Sequence, residues 1–203
     1  MDKKTLSIVS LVCGILSAVV GLFYFIQTII TLTNFSGDSG AKANFYVAFL
    51  AVIFALAAVG FCIVGYFIIK AYLDKKDYDK MVLPALIYFC YEAVVSFMAM
   101  CFWGFDSAKA WVTILLGIAG IIIILLPKLS KLDDKTSKVL VLVAVVLAFV
   151  LSIVGLVYSG GLAIATYIFT MLLFIALFVY YLFVIINGNT KKSENKEEAK
   201  DNE

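Results

Sequence analysis

Six uninterrupted apolar blocks, at about 5–33, 45–73, 81–104, 110–127, 139–158 and 162–187, take up most of this 203-residue chain. Each has the roughly 17–25 residues or more that a helix needs to cross the hydrocarbon of a bilayer. The blocks are apolar on every side, whereas a helix on the surface of a soluble domain carries one apolar stripe. In lipid every backbone N–H and C=O must find its partner within the protein, so spanning segments of this length are α-helices. The sequence therefore predicts an all-α, polytopic membrane protein with six transmembrane helices. Composition agrees: 64% of residues are hydrophobic and 15% charged, against about 45–50% and about 25% in soluble domains.

The lysines give the orientation. Lys3 and Lys4, then Lys70, Lys75, Lys76 and Lys80, then Lys128, Lys131, Lys135 and Lys138, then Lys191, Lys192, Lys196 and Lys200 fall at one set of helix ends. The other set holds only Lys42 and Lys109. Because basic residues near helix ends stay in the cytoplasm, this alternation predicts both termini inside. Every basic residue is Lys, with no Arg or His. That bias fits an AT-rich coding genome and points to a bacterial plasma membrane. Trp103, Trp111, Tyr24, Tyr46 and Tyr158 lie toward the outer ends and are expected to form an interfacial aromatic belt.

The first block follows Lys3 and Lys4 as a signal peptide would, but it far exceeds the roughly 7–15 apolar residues of a signal core and reads as a retained anchor. Val12 stands where a lipobox needs a small residue before Cys13, so lipidation is not expected. Residues 1–187 form the six-span domain. Residues 188–203 have almost nothing apolar to bury and are expected to be a disordered cytoplasmic tail. Laying 4–24 on 138–158 matches Gly21 with Gly155 and Tyr24 with Tyr158 among other pairs, an internal repeat or chance in a limited alphabet.

Glu92 is the one ionisable side chain expected deep in the membrane. Eleven residues beyond Met81, at about 1.5 Å each, it lies roughly 16 Å down in a hydrocarbon core about 30 Å thick. A charge there costs several kcal/mol, so the carboxyl must be paired, hydrated or protonated. Tyr88 and Ser96 stand four residues to either side, on the same helical face. The three form a candidate solute, cation or proton site; alternatively, a protonated Glu92 ties helices together by hydrogen bonds. Ser10, Gly14 and Ala18, at four-residue spacing in the first block, are candidates for close helix packing within the chain or against a partner subunit. Gln27, Thr28 and Thr31 with Thr166, Tyr167 and Thr170 either line an outward-facing cavity or bond helix to helix.

What is missing narrows the function. Without His, membrane hydrolases that use imidazole as base or metal ligand lose an essential group. One intramembrane carboxyl cannot make an aspartic dyad, and no G-x-x-x-x-G-K-[ST] loop is present. Cys13, Cys62, Cys90 and Cys101 show no ligand spacing and are read as small hydrophobes. The chain is thus expected to be no enzyme, with no cofactor, metal or nucleic-acid partner, its surroundings being the bilayer and, in one reading, another membrane subunit. About two hundred residues, six spans, inward termini and a small-residue first helix resemble the substrate-binding components of energy-coupling-factor vitamin transporters. That resemblance is one of architecture and carries over no residue. It implies a small-solute or ion transport component; the alternative is a structural or regulatory subunit with no solute ligand.

Overall fold

A computed structural model describes residues 3–33, 40–76, 80–130 and 132–200, with the side chains of 3, 41 and 187–200 outside that description. Six α-helices follow one another: α1 (Lys3–Thr33), α2 (Ala41–Leu73), α3 (Leu83–Trp103), α4 (Ala108–Leu129), α5 (Asp134–Val157) and α6 (Leu162–Lys200). Among the described residues there is no strand. All six helices are long and apolar enough to cross a membrane, α6 over Leu162–Ile186. The chain is a multi-pass membrane protein, and the six blocks seen in the sequence are its six helices.

The helix ends follow from local chemistry. Ser107 caps α4 by accepting a hydrogen bond from the Ala110 amide at 3.3 Å. Asp133 caps α5 by accepting one from the Thr136 amide at 3.1 Å, and hydrogen bonds from Thr136 hold its carboxyl below the usual aspartate range. Pro84 sits in the first turn of α3, where its missing N–H costs no helical bond. Gly161, at φ 58°, makes the left-handed step of the tight α5–α6 turn. The backbone of α6 continues as helix to Lys200, through the segment expected to be disordered from 188. Residues 201–203 of that tail lie outside the described residues.

Sequential helices pack side by side, and α6 returns to α1, so the six close into a ring. The closest pair is α1 with α2, where small residues remove the space between backbones. A Cβ on Gly65 would stand 2.8 Å from the Ala18 amide and the Gly14 carbonyl oxygen, and one on Gly14 would meet Ile68 and Ile69. Ser17 adds a hydrogen bond to the Phe61 carbonyl at 2.9 Å. Gly14 and Ala18 therefore face α2 of the same chain, while Ser10, half-buried, lies 4.0 Å from the Met81 sulfur.

Large side chains fill the ring: Tyr24, Phe61, Tyr88, Phe89 and Phe174 are all essentially inaccessible. Leu22, Leu56 and Leu115 point outward and are more than half exposed, a surface for lipid. Of the expected belt, Trp103, Trp111 and Tyr158 are exposed at the end of the bundle opposite the termini. Tyr24 does not belong to that belt. It lies on the inner side of α1, stacked on Phe61 at 5.7 Å and edge-on to Tyr91 at 4.8 Å. In the aligned segments 4–24 and 138–158, Gly21 and Gly155 each face the next helix of the chain, but Tyr24 is buried and Tyr158 is 64% exposed.

Candidate functional site

Glu92 is the tenth of the 21 residues of α3 and is 6% exposed. Its partner comes from across the ring. The Tyr167 hydroxyl of α6 donates to Glu92 Oε1 at 3.0 Å. Of the neighbours singled out in the sequence, Tyr88 lies close enough for its hydroxyl to interact with the carboxyl, though without the geometry of a full hydrogen bond. Tyr88 is fully buried, its ring 5.1 Å from Phe174, and its hydroxyl has no hydrogen-bond partner. Ser96, one turn further on, is half-buried. The same-face stripe exists as helix geometry, but the contact that fixes the carboxyl is interhelical. Spacing within one helix cannot show such a contact.

Tyr167 is itself fixed by α5. Its ring fills the space that a side chain at position 155 would need, so Gly155 is what lets the ring lie there. On α6 the residue before it, Thr166, accepts a hydrogen bond from Gln27 Nε2 of α1 at 2.7 Å. Thr28 and Thr170 instead turn back on their own helices, donating to the Tyr24 carbonyl at 2.9 Å and the Thr166 carbonyl at 2.8 Å. Such bonds satisfy a hydroxyl locally where lipid offers no partner.

Gln27, Thr166 and Tyr167 border a cavity of about 190 Å³. It runs from Ser159, in the turn between α5 and α6, down to Tyr91 and Val95 in the middle of α3. Its walls are largely aromatic, with Tyr24 from α1, Tyr46 and Phe54 from α2, Tyr91 from α3 and Tyr167 from α6. Gln27 and Thr166 add a polar rim. The end it reaches is the one opposite the chain termini. Of the polar residues grouped in the sequence, the structure brings Gln27, Thr166 and Tyr167 to the cavity; Thr28 and Thr170 are buried against their own helices.

Two features are not visible in the sequence. Tyr24 reads there as an interfacial residue and Tyr91 carries no signal, yet the two rings meet from α1 and α3 in the cavity wall. The Tyr24 hydroxyl, buried in that wall, has no hydrogen-bond partner. The density of tyrosine and phenylalanine in the chain, 28 of 203 residues as 11 Tyr and 17 Phe, is the only compositional trace of this.

The chain matches no family model, no curated protein and no solved structure. The reading of the site rests on its geometry.

Proposed function

We propose that this chain is a small-solute or ion transport component, a binding subunit whose site is the aromatic cavity lined by Tyr167, with Glu92 behind it. The observation behind this reading is the combination of an aromatic-walled space with a buried carboxyl one hydrogen bond behind its wall. Pockets that bind small molecules are mostly apolar with a few convergent polar groups, and an ionisable residue within a membrane helix points first to a site. On the lysine pattern the termini are cytoplasmic and the cavity opens outward, in the plasma membrane of a bacterium. A binding subunit with no nucleotide-binding loop works with a partner that supplies energy, which agrees with the resemblance to vitamin-transporter binding components.

A second reading has its own support. Gln27 is already bonded to Thr166 and Tyr167 to Glu92, so these contacts serve equally in a structural or regulatory subunit that binds no solute. Thermal unfolding of the purified chain in mild detergent, against a panel of cationic, neutral and anionic solutes, separates the two. A saturating solute at about a hundred times its Kd stabilises the folded state by about 2.7 kcal/mol. The binding reading expects such a rise for at least one class of solute; the structural reading expects none.

A further inference from the structure

We infer that the solute taken by this cavity is a small organic cation, a compact ammonium held among the rings of Tyr24, Tyr46, Phe54 and Tyr91 with Glu92 as its counter-charge. The inference rests on the binding reading above and adds to it the chemical class of the ligand.

Three observations carry it. First, the wall contains five aromatic rings and no basic residue. Aromatic faces are negative and attract a cation within about 6 Å of the ring centre, most strongly where water is excluded. The two lysines at this end of the bundle stand outside the wall, Lys42 6.0 Å from the Trp103 ring and Lys109 4.8 Å from the Tyr158 ring. The wall holds no cationic side chain to neutralise an anion.

Second, the single carboxyl is placed to serve the cavity and is short of partners. Glu92 Oε1 accepts from Tyr167, a cavity residue. A carboxylate has about four acceptor positions, and the side chains near this one, Tyr167 and Tyr88, leave some of them open. A buried cation would offset the cost of charge on Glu92, and Glu92 the cost of burying the cation.

Third, the size of the cavity limits its guest. A cavity of about 190 Å³ is far larger than the roughly 10–15 Å³ that one water needs, yet it is too small for a nucleotide or a peptide. A hard metal ion calls for six or more oxygen ligands, whereas this wall presents ring faces.

The test is isothermal titration of the purified full chain in detergent, at constant ionic strength, with ethanolamine and tetramethylammonium chloride as probes. Sodium chloride, neutral tert-butanol and sodium acetate are the comparisons. The inference expects saturable binding of at least one ammonium, at least tenfold tighter than tert-butanol. Glu92→Gln, which keeps the Tyr167 hydrogen bond, should weaken it at least tenfold. Tyr46→Leu should weaken it roughly three- to tenfold while Tyr46→Phe keeps it, since the ring face and not the hydroxyl does the binding. This pair keeps the inference open to test should the Glu92 variant fold poorly. Tight binding of acetate or tert-butanol with no ammonium binding overturns the cation class while leaving the binding reading intact. Binding of sodium alone, or ammonium binding indifferent to both Glu92→Gln and Tyr46→Leu, also overturns it. Binding of no probe and no stabilisation by any solute overturns both readings together.

Discussion

The ring of Tyr167 occupies the volume where a side chain at Gly155 would be, so a glycine on α5 sets the position of a hydroxyl on α6 that in turn holds Glu92 of α3. Three helices meet at this one point. The first prediction follows directly. Gly155→Ala would push the Tyr167 ring aside, at the about 1–3 kcal/mol typical of overpacking a filled core. It should lower the unfolding temperature and weaken any cavity ligand. Gly160→Ala, with open space around it, should leave both unchanged. Equal behaviour of the two variants in a thermal unfolding series would mean that Gly155 does not position Tyr167.

How far the sequence reaches is clear at this same point. Helix number, the rough limits of the spans and the place of Glu92 midway along α3 follow from block length and 1.5 Å rise, because lipid imposes the same demand on every span, whereas the extension of α6 to Lys200 does not. Which helix faces which does not follow. All faces of these helices are apolar, so no stripe marks the inside. Tyr24 therefore looked like a belt residue by its distance from the helix end and proved to be 1% exposed. Tyr167 was visible as a polar residue in the outer half of α6, but its bond to a residue 75 positions away depends on ring closure between α6 and α1. Gly14 and Ala18 were legible as a packing face, though only the structure names α2 as the helix they face.

The α1–α2 contact makes the second prediction. A side chain at position 65 meets backbone atoms of α1 at 2.8 Å, and backbone cannot move aside as a rotamer can. Gly65→Val should therefore separate the two helices and reduce the yield of folded protein in detergent. At Gly60 the nearest atom is the end of the Ile87 side chain at 3.2 Å, which can turn away. Gly60→Ala should be tolerated, with monodispersity on size-exclusion chromatography near that of the parent. Loss of folding in both would show that any added volume on α2 is harmful and that the close approach at Gly65 is not special.

A third prediction concerns the folding role of the Glu92 carboxyl, separately from ligand binding. Glu92→Gln keeps an oxygen that can accept from Tyr167 at nearly the same volume and should change stability little. Glu92→Lys places an ammonium among Tyr88, Tyr91 and Tyr167 with no acidic partner near it in the chain, a cost of about 2.5–3.5 kcal/mol even on insertion scales. It should fold poorly or not insert. Tyr167→Phe tests the same bond from the other side, and in a double-mutant cycle with Glu92→Ala, which removes the acceptor, the two changes should be non-additive, as expected for residues in contact. Strict additivity would mean that the hydrogen bond contributes nothing to the folded state.

The last prediction is the orientation, which the helices leave open and the lysine pattern predicts. Fourteen lysines lie at the ends shared with the termini and two at the opposite ends, and a bias near the spans is what sets topology. In a background with Cys13, Cys62, Cys90 and Cys101 replaced by Ala or Ser, two single cysteines suffice. Thr136→Cys lies exposed in the first turn of α5, past the Asp133 cap, and Asp106→Cys lies exposed between α3 and α4. With an impermeant maleimide on intact cells, Asp106→Cys should label and Thr136→Cys should label only after lysis. The reverse pattern would turn the protein over, place the cavity mouth in the cytoplasm, and make any solute it binds an internal one.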